Sequence, residues 1–162
     1  MEFRLSERAQ RIEPFYVMEV AKAAQQLPAG GEEPIFLNIG EPDFTAAPLV
    51  AQAAQQAIDA GNTQYTAANG LLQLRERISQ WYADRFGVQV SPDRIVITSG
   101  ASAALQLVCL ALVQAGDEVL MPDPSYPCNR HFVSVAGGHA KLIASGAQER
   151  FQLSAEQVQA NW

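Results

Sequence analysis

The stretch that decides the fold is Thr98-Ser99-Gly100-Ala101-Ser102-Ala103-Ala104-Leu105, TSGASAAL, which follows the β-branched run Ile95-Val96-Ile97. A strand pattern meets the smallest residues of the chain, and a long Ala/Leu-rich helix pattern begins there. Two readings suit that arrangement. One is a tight strand-to-helix turn with a helix cap. The other is a cradle for an anion, because the first N–H groups of a helix have no intrahelical partner and carry the positive end of its dipole. Gly100 and Ala101 leave room for a phosphate, and Ser99 and Ser102 bring hydroxyls. The stretch is neither a dinucleotide fingerprint, having one glycine, nor a P-loop, having no lysine after it.

Working outward, strands alternate with helices. Arg94–Thr98 reads as a strand, Ser102–Gln114 as a helix and Glu118–Met121 as a strand. The turn Asp123-Pro124-Ser125-Tyr126-Pro127 leads to a helix ending near Val135, and Ala140–Ala144 is a further strand. That order predicts an α/β layer on a parallel sheet. Upstream, Pro34–Ile39 reads as a short strand broken by Gly40-Glu41-Pro42-Asp43. A helix is expected over 48–60 with Thr45 as its cap, and another from Leu71 to Phe86 with Leu71, Leu74, Ile78, Trp81 and Tyr82 on its apolar face. Trp81 and Phe86 read as core. The loop between those helices carries Tyr65. An N-terminal helix lies around Phe15–Ala21.

Eleven basic and seventeen acidic residues give a net charge of −6, and 48% of the 162 residues are hydrophobic. The composition predicts a core. The acidic balance gives no electrostatic reason to bind nucleic acid or an anionic membrane. Cys109 and Cys128 are spaced neither for a metal nor as a redox pair and read as two buried thiols of a reduced compartment. His131 and His139 have no ligand partners close in sequence. The apolar run Val108–Val113 is too short to span a bilayer, and the opening MEFRLSERAQRIEP has no apolar signal region. A cytoplasmic protein is expected. The closing LSAEQVQANW starts a capping box at Ser154 and Gln157 and stops two turns later, which reads as a truncated chain.

Singly these signals are weak. In series, IGEPDF, QYTAANGLLQLRERI, DRIVITSGASAAL, GDEVLMPDPSYP and AGG resemble the N-terminal part of class I/II aminotransferases, from about Ser6 to Gly138. That resemblance implies a pyridoxal 5′-phosphate (PLP) enzyme of fold type I. The chain would form a partial version of the fold: the arm and part of the small domain over 1–45, and an incomplete large domain over 46–162. Gly100, Ala101 and Ser102 would then hold the cofactor phosphate. Tyr126 would stack on the pyridine ring. Tyr65 would reach the cofactor phosphate of the other subunit of a homodimer with shared active sites. Gly40 would lie beside the substrate carboxylate, and the arm around Phe15 and Tyr16 would edge the pocket. The implied substrates are an amino acid and a 2-oxo acid. No metal is implied.

The family's chemistry needs a lysine that forms a Schiff base with the cofactor. Lys22 and Lys141 are the lysines present, and neither lies in anything like the family's lysine motif, so no catalytic residue is expected in this chain and the polypeptide alone is expected to be inactive. The resemblance also implies that the large-domain sheet is not built in sequence order. Arg94–Thr98 would not sit beside Glu118–Met121, and the isolated chain would be unstable, swap with a copy or aggregate. Three alternatives stay open. One is another fold type I enzyme, a lyase or synthase, and one is a non-catalytic interaction module derived from this half. The third, a nucleotide-binding α/β domain, lacks the further glycines and the acidic residue of its fingerprint.

Overall fold

The computed structural model describes residues 3–28, 30–31 and 34–162. Its elements are α1 (Glu7–Gln10), α2 (Tyr16–Gln25), α3 (Pro48–Asp59), α4 (Leu72–Phe86), α5 (Gly100–Leu112), β1 (Glu118–Asp123), α6 (Cys128–Ala136), β2 (His139–Ala144) and α7 (Ala155–Asn161), with a short 3-10 turn over Pro92–Arg94. They form two compact units, one of residues 1–38 with 99–162 and one of 39–98.

The first unit holds the sheet. β1 and β2 pair in parallel with Glu118 opposite His139 and Asp123 opposite Ala144, and α6 makes the crossover. This is the expected βαβ unit, with β1 two residues longer than the pattern predicted. Val133, on the inner side of α6, is 1% exposed. The capping box on α7 forms as the sequence predicts. Ser154 Oγ accepts from the Gln157 N–H at 3.1 Å, and Gln157 Oε1 accepts from the Ser154 N–H at 3.0 Å. α7 docks on β2 through Gln157 Nε2, which donates to the Ala144 carbonyl, and through the Asn161 carbonyl, which accepts from Lys141 Nζ.

The second unit is helix and loop. α3 starts at Pro48, whose fixed φ suits a first helical position. Thr45 does not cap it. Ala47 is the N-cap and makes no side-chain bond, since Thr45 lies two residues too early for its hydroxyl to reach the first turn. The helix closes as the Gly61 N–H bonds back to the Ile58 carbonyl and the Asn62 N–H to the Ala57 carbonyl, the Schellman pattern. α4 packs on the chain that follows it through polar groups. Ser79 Oγ donates to the Val90 carbonyl at 2.5 Å, and Arg75 points the same way.

Two expected strands are absent. Residues 34–39 and 95–98 form no strand, and Pro92–Arg94 is a 3-10 turn. A β-branched run becomes a strand only with a neighbour to pair with, and neither segment finds one among the described residues. The expected core is also small. Among the described residues Val133 is the buried hydrophobic side chain, whereas Trp81 is 53% exposed and Phe86 56%. These rings pack edge-on against each other, with centroids 5.1 Å apart, and not into an interior. Both cysteines are free and half-buried, not buried as the sequence suggested. Cys109 lies on α5, whose faces are largely uncovered, and Cys128 opens α6. Among the described residues no helix is long and apolar enough to cross a membrane.

Candidate functional site

The small residues of TSGASAAL start α5 as expected, two residues earlier than the helix pattern alone indicated. Ser99 is the N-cap without a side-chain cap bond. The serine is therefore not there to cap, which weakens the plain turn reading. Gly100 has φ +81°, and a Cβ there would meet nothing within 4 Å. The backbone thus takes a left-handed turn that only glycine adopts without strain, with open space on the side a larger residue would fill. Ala101 and Ser102 are exposed on the first turn, where helix geometry directs N–H groups outward.

Tyr126 sits in the turn between β1 and α6, at the carboxyl edge of the parallel strands, where open α/β sheets bind ligands. Its ring is 50% exposed. Phe15, at the start of α2, meets it edge-to-face with centroids 6.1 Å apart and an interplanar angle of 70°. The phenol also interacts with two side chains. A hydrogen bond with the Cys128 thiol raises its pKa above the ordinary tyrosine range, the charge of the Cys128 thiolate adds to that, and slight desolvation acts in the same direction. The Ser102 hydroxyl opposes them. Tyr126 and Ser102, 24 positions apart in sequence, therefore meet at the mouth of α5.

The sign of the shift follows. Because the pKa is raised, the fold favours the neutral phenol. That contribution is complete below the ordinary tyrosine pKa and is lost as pH rises through the raised one. Cys128→Ala removes the two largest causes and leaves the opposing Ser102 hydroxyl. Ultraviolet titration of phenolate, taken as the difference from Tyr126→Phe, is expected to show Tyr126 ionising at lower pH in Cys128→Ala than in the parent. An unmoved titration would show that the thiol does not hold the phenol.

In the other unit, Tyr65 stands fully exposed on the loop 62–70. Gly40 is exposed, and a Cβ there would meet nothing within 4 Å, so its neighbours in that unit do not demand a glycine. Gly100, Ala101, Ser102 and Tyr126 are thus brought together in one unit, while Tyr65 and Gly40 belong to the other. The sequence pattern did not single out Cys128 as a partner of Tyr126, although its place two residues on, at the first position of a helix, is a usable signal. Nor did it single out Arg75, whose hydrogen-bond partners are main-chain carbonyls.

The profile described as aminotransferase class I and II matches residues 32–161. Among characterised relatives, the (5-formylfuran-3-yl)methyl phosphate transaminase of Methanocaldococcus jannaschii is 38% identical over 133 residues, 82% of this chain and 36% of that protein. The aspartate/prephenate aminotransferase of Cereibacter sphaeroides is 33% identical over 156 residues, 96% of this chain and 39% of that protein. The crystal structure of an aminotransferase from Mycobacterium tuberculosis superposes with a TM-score of 0.90 at 37% identity, covering 98% of this chain and 41% of that one. The chain therefore spans between 36% and 41% of the length of these relatives.

Proposed function

The chain belongs to the class I and II aminotransferases, and from that premise we propose that it supplies the cofactor-phosphate turn and the stacking ring of a PLP-dependent enzyme that moves an amino group between an amino acid and a 2-oxo acid. The observation that carries the reading is the meeting of Ser102 and Tyr126 beside the open left-handed turn at Gly100. The donor set suits the group. N–H groups and a hydroxyl at a helix start suit a phosphate dianion, and a half-exposed phenol ring supported at its edge by Phe15 suits a flat cationic heterocycle. PLP, when bound, supplies the electron sink for breaking bonds at the amino-acid α-carbon. The chain's own residues bind and orient it. Gly100, Ala101 and Ser102 grip the phosphate, Tyr126 covers the ring, and its raised pKa keeps the phenol neutral through the ordinary range of pH.

The same reading gives Tyr65 the phosphate of a partner subunit in a homodimer. Its full exposure on a loop supports a role outside its own unit. Gly40 is assigned to the substrate carboxylate.

The test is cofactor affinity in a protein of the relatives' full length that carries this sequence. Tyr126→Ala is expected to weaken PLP binding about thirtyfold, the loss of roughly 2 kcal/mol of stacking and cation–π attraction. Tyr126→Phe, which keeps the ring, retains most of the affinity. Equal affinity for the parent and Tyr126→Ala, with both folded by circular dichroism, would remove Tyr126 from the cofactor and the reading with it.

A further inference from the structure

Many of the large apolar side chains among the described residues are exposed, whereas Arg75 is charged and buried. Its side chain is 8% exposed. A buried guanidinium needs partners for its fork of donors, and these are backbone. Nε donates to the Gly70 carbonyl at 3.3 Å, and Nη1 donates to the Pro92 carbonyl at 2.8 Å. Asp93 comes no closer than 3.6 Å and is 91% exposed, so water screens it and the pair is a weak ion pair. Arg75 is a clamp on two stretches of main chain.

Those stretches are informative. Gly70 ends the loop 62–70 that carries Tyr65, and Pro92 opens the 3-10 turn that leads into residues 95–98. The Ile97 N–H donates to the Asn69 carbonyl at 3.1 Å, so the same two stretches are tied a second time. Tyr65 itself is fully exposed, and with so little packed against the ring, the backbone at the two ends of its loop must set where it points. At one end the Asn62 N–H closes α3 on the Ala57 carbonyl at 2.9 Å. At the other end stands Arg75.

We propose that Arg75 is a positioning residue: without touching the cofactor it fixes the Tyr65 loop by gripping Gly70 and Pro92 together. This rests on the reading that Tyr65 meets a cofactor phosphate. Lysine cannot replace it, because a single ammonium on a flexible stem does not fork to two carbonyls.

The experiment uses dimeric holoenzyme of the relatives' full length bearing Arg75→Lys, Tyr65→Phe or both, with Arg75→Gln as the neutral alternative if the lysine variant does not fold. PLP affinity is expected to fall about tenfold in each single variant, as for one hydrogen bond to a charged group. The double variant should show about the same tenfold loss in place of about a hundredfold, because both changes remove one contact. Amide exchange over 62–70 should quicken in Arg75→Lys and stay at the parent rate in Tyr65→Phe. Multiplying effects, or unaltered affinity and exchange in the Arg75 variants, would overturn the proposal. If Tyr65→Phe alone binds PLP like the parent, the phosphate role of Tyr65 falls. Exchange over 62–70 then decides for Arg75: faster supports the clamp, unchanged refutes it.

Discussion

A polypeptide of these 162 residues, given PLP, an amino acid and a 2-oxo acid, is expected to show no turnover above that of the free cofactor. The chemistry requires an amine that carries the cofactor aldehyde and then moves a proton at the substrate α-carbon. Two lysines are present, and the structure gives neither that position. Lys141 lies on β2 opposite Leu120, three register positions before the Asp123–Ala144 pair. At a rise of about 3.3 Å per residue that is roughly 10 Å short of the strand edge that leads to Tyr126. Its ammonium is engaged as well, donating to the Asn161 carbonyl at 3.0 Å and lying 3.6 Å from Glu118. Lys22 is exposed to solvent in the last turn of α2. The measurement is release of the new 2-oxo acid, followed with a coupled dehydrogenase and compared with PLP alone. Turnover above that background which Lys141→Ala abolishes would show that the strand lysine does the work and that the family's division of labour does not hold here.

What the sequence made legible is what local chemistry decides. α3 and α4 end where Gly61 and Gly87 stand, α7 starts on its capping box, and the βαβ unit follows from alternating patterns joined by turn residues. The turn that opens α5 was legible because a single glycine among small residues ahead of an Ala/Leu-rich run marks a helix start. The errors share a cause. Ile95–Ile97 and Pro34–Ile39 have strand composition, but a strand is defined by its neighbour, and pairing is not written in the segment itself. Trp81 and Phe86 have the spacing of a core face, yet the surface that would cover it is not among the described residues. Arg75 was illegible for the opposite reason. Its partners are carbonyls five and seventeen positions away, and a carbonyl leaves no trace in side-chain identity. Cys128 is intermediate: its position beside Tyr126 is local, but the phenol's contact with Ser102 is not.

Gly70→Ala is expected to be the most damaging single change in the unit of residues 39–98. Gly70 is buried at φ +93°, and a Cβ built there falls 2.6 Å from the Ile97 Cβ and closer still to its Cγ1. Two penalties combine. A left-handed conformation costs an L-residue about 1–2 kcal/mol, and forcing a methyl into packed space costs about 1–3 kcal/mol more. Their sum, about 3 kcal/mol, is roughly a hundredfold in the folding constant. Gly100→Ala separates the two, since its φ of +81° carries the backbone strain while nothing lies within 4 Å of the added methyl. It should cost about 1 kcal/mol, the strain alone. Urea unfolding followed by Trp81 fluorescence in a Trp162→Phe background reads the first variant, and circular dichroism at 222 nm, the standard helix band, reads the second. Truncating Ile97 to alanine should not rescue Gly70→Ala, because the Ile97 Cβ remains in the way. Rescue by that truncation, or equal costs at the two glycines, would mean that the contact between loop 62–70 and Ile97 is loose. The Asn69–Ile97 hydrogen bond and the Arg75 clamp could not then hold Tyr65 in place.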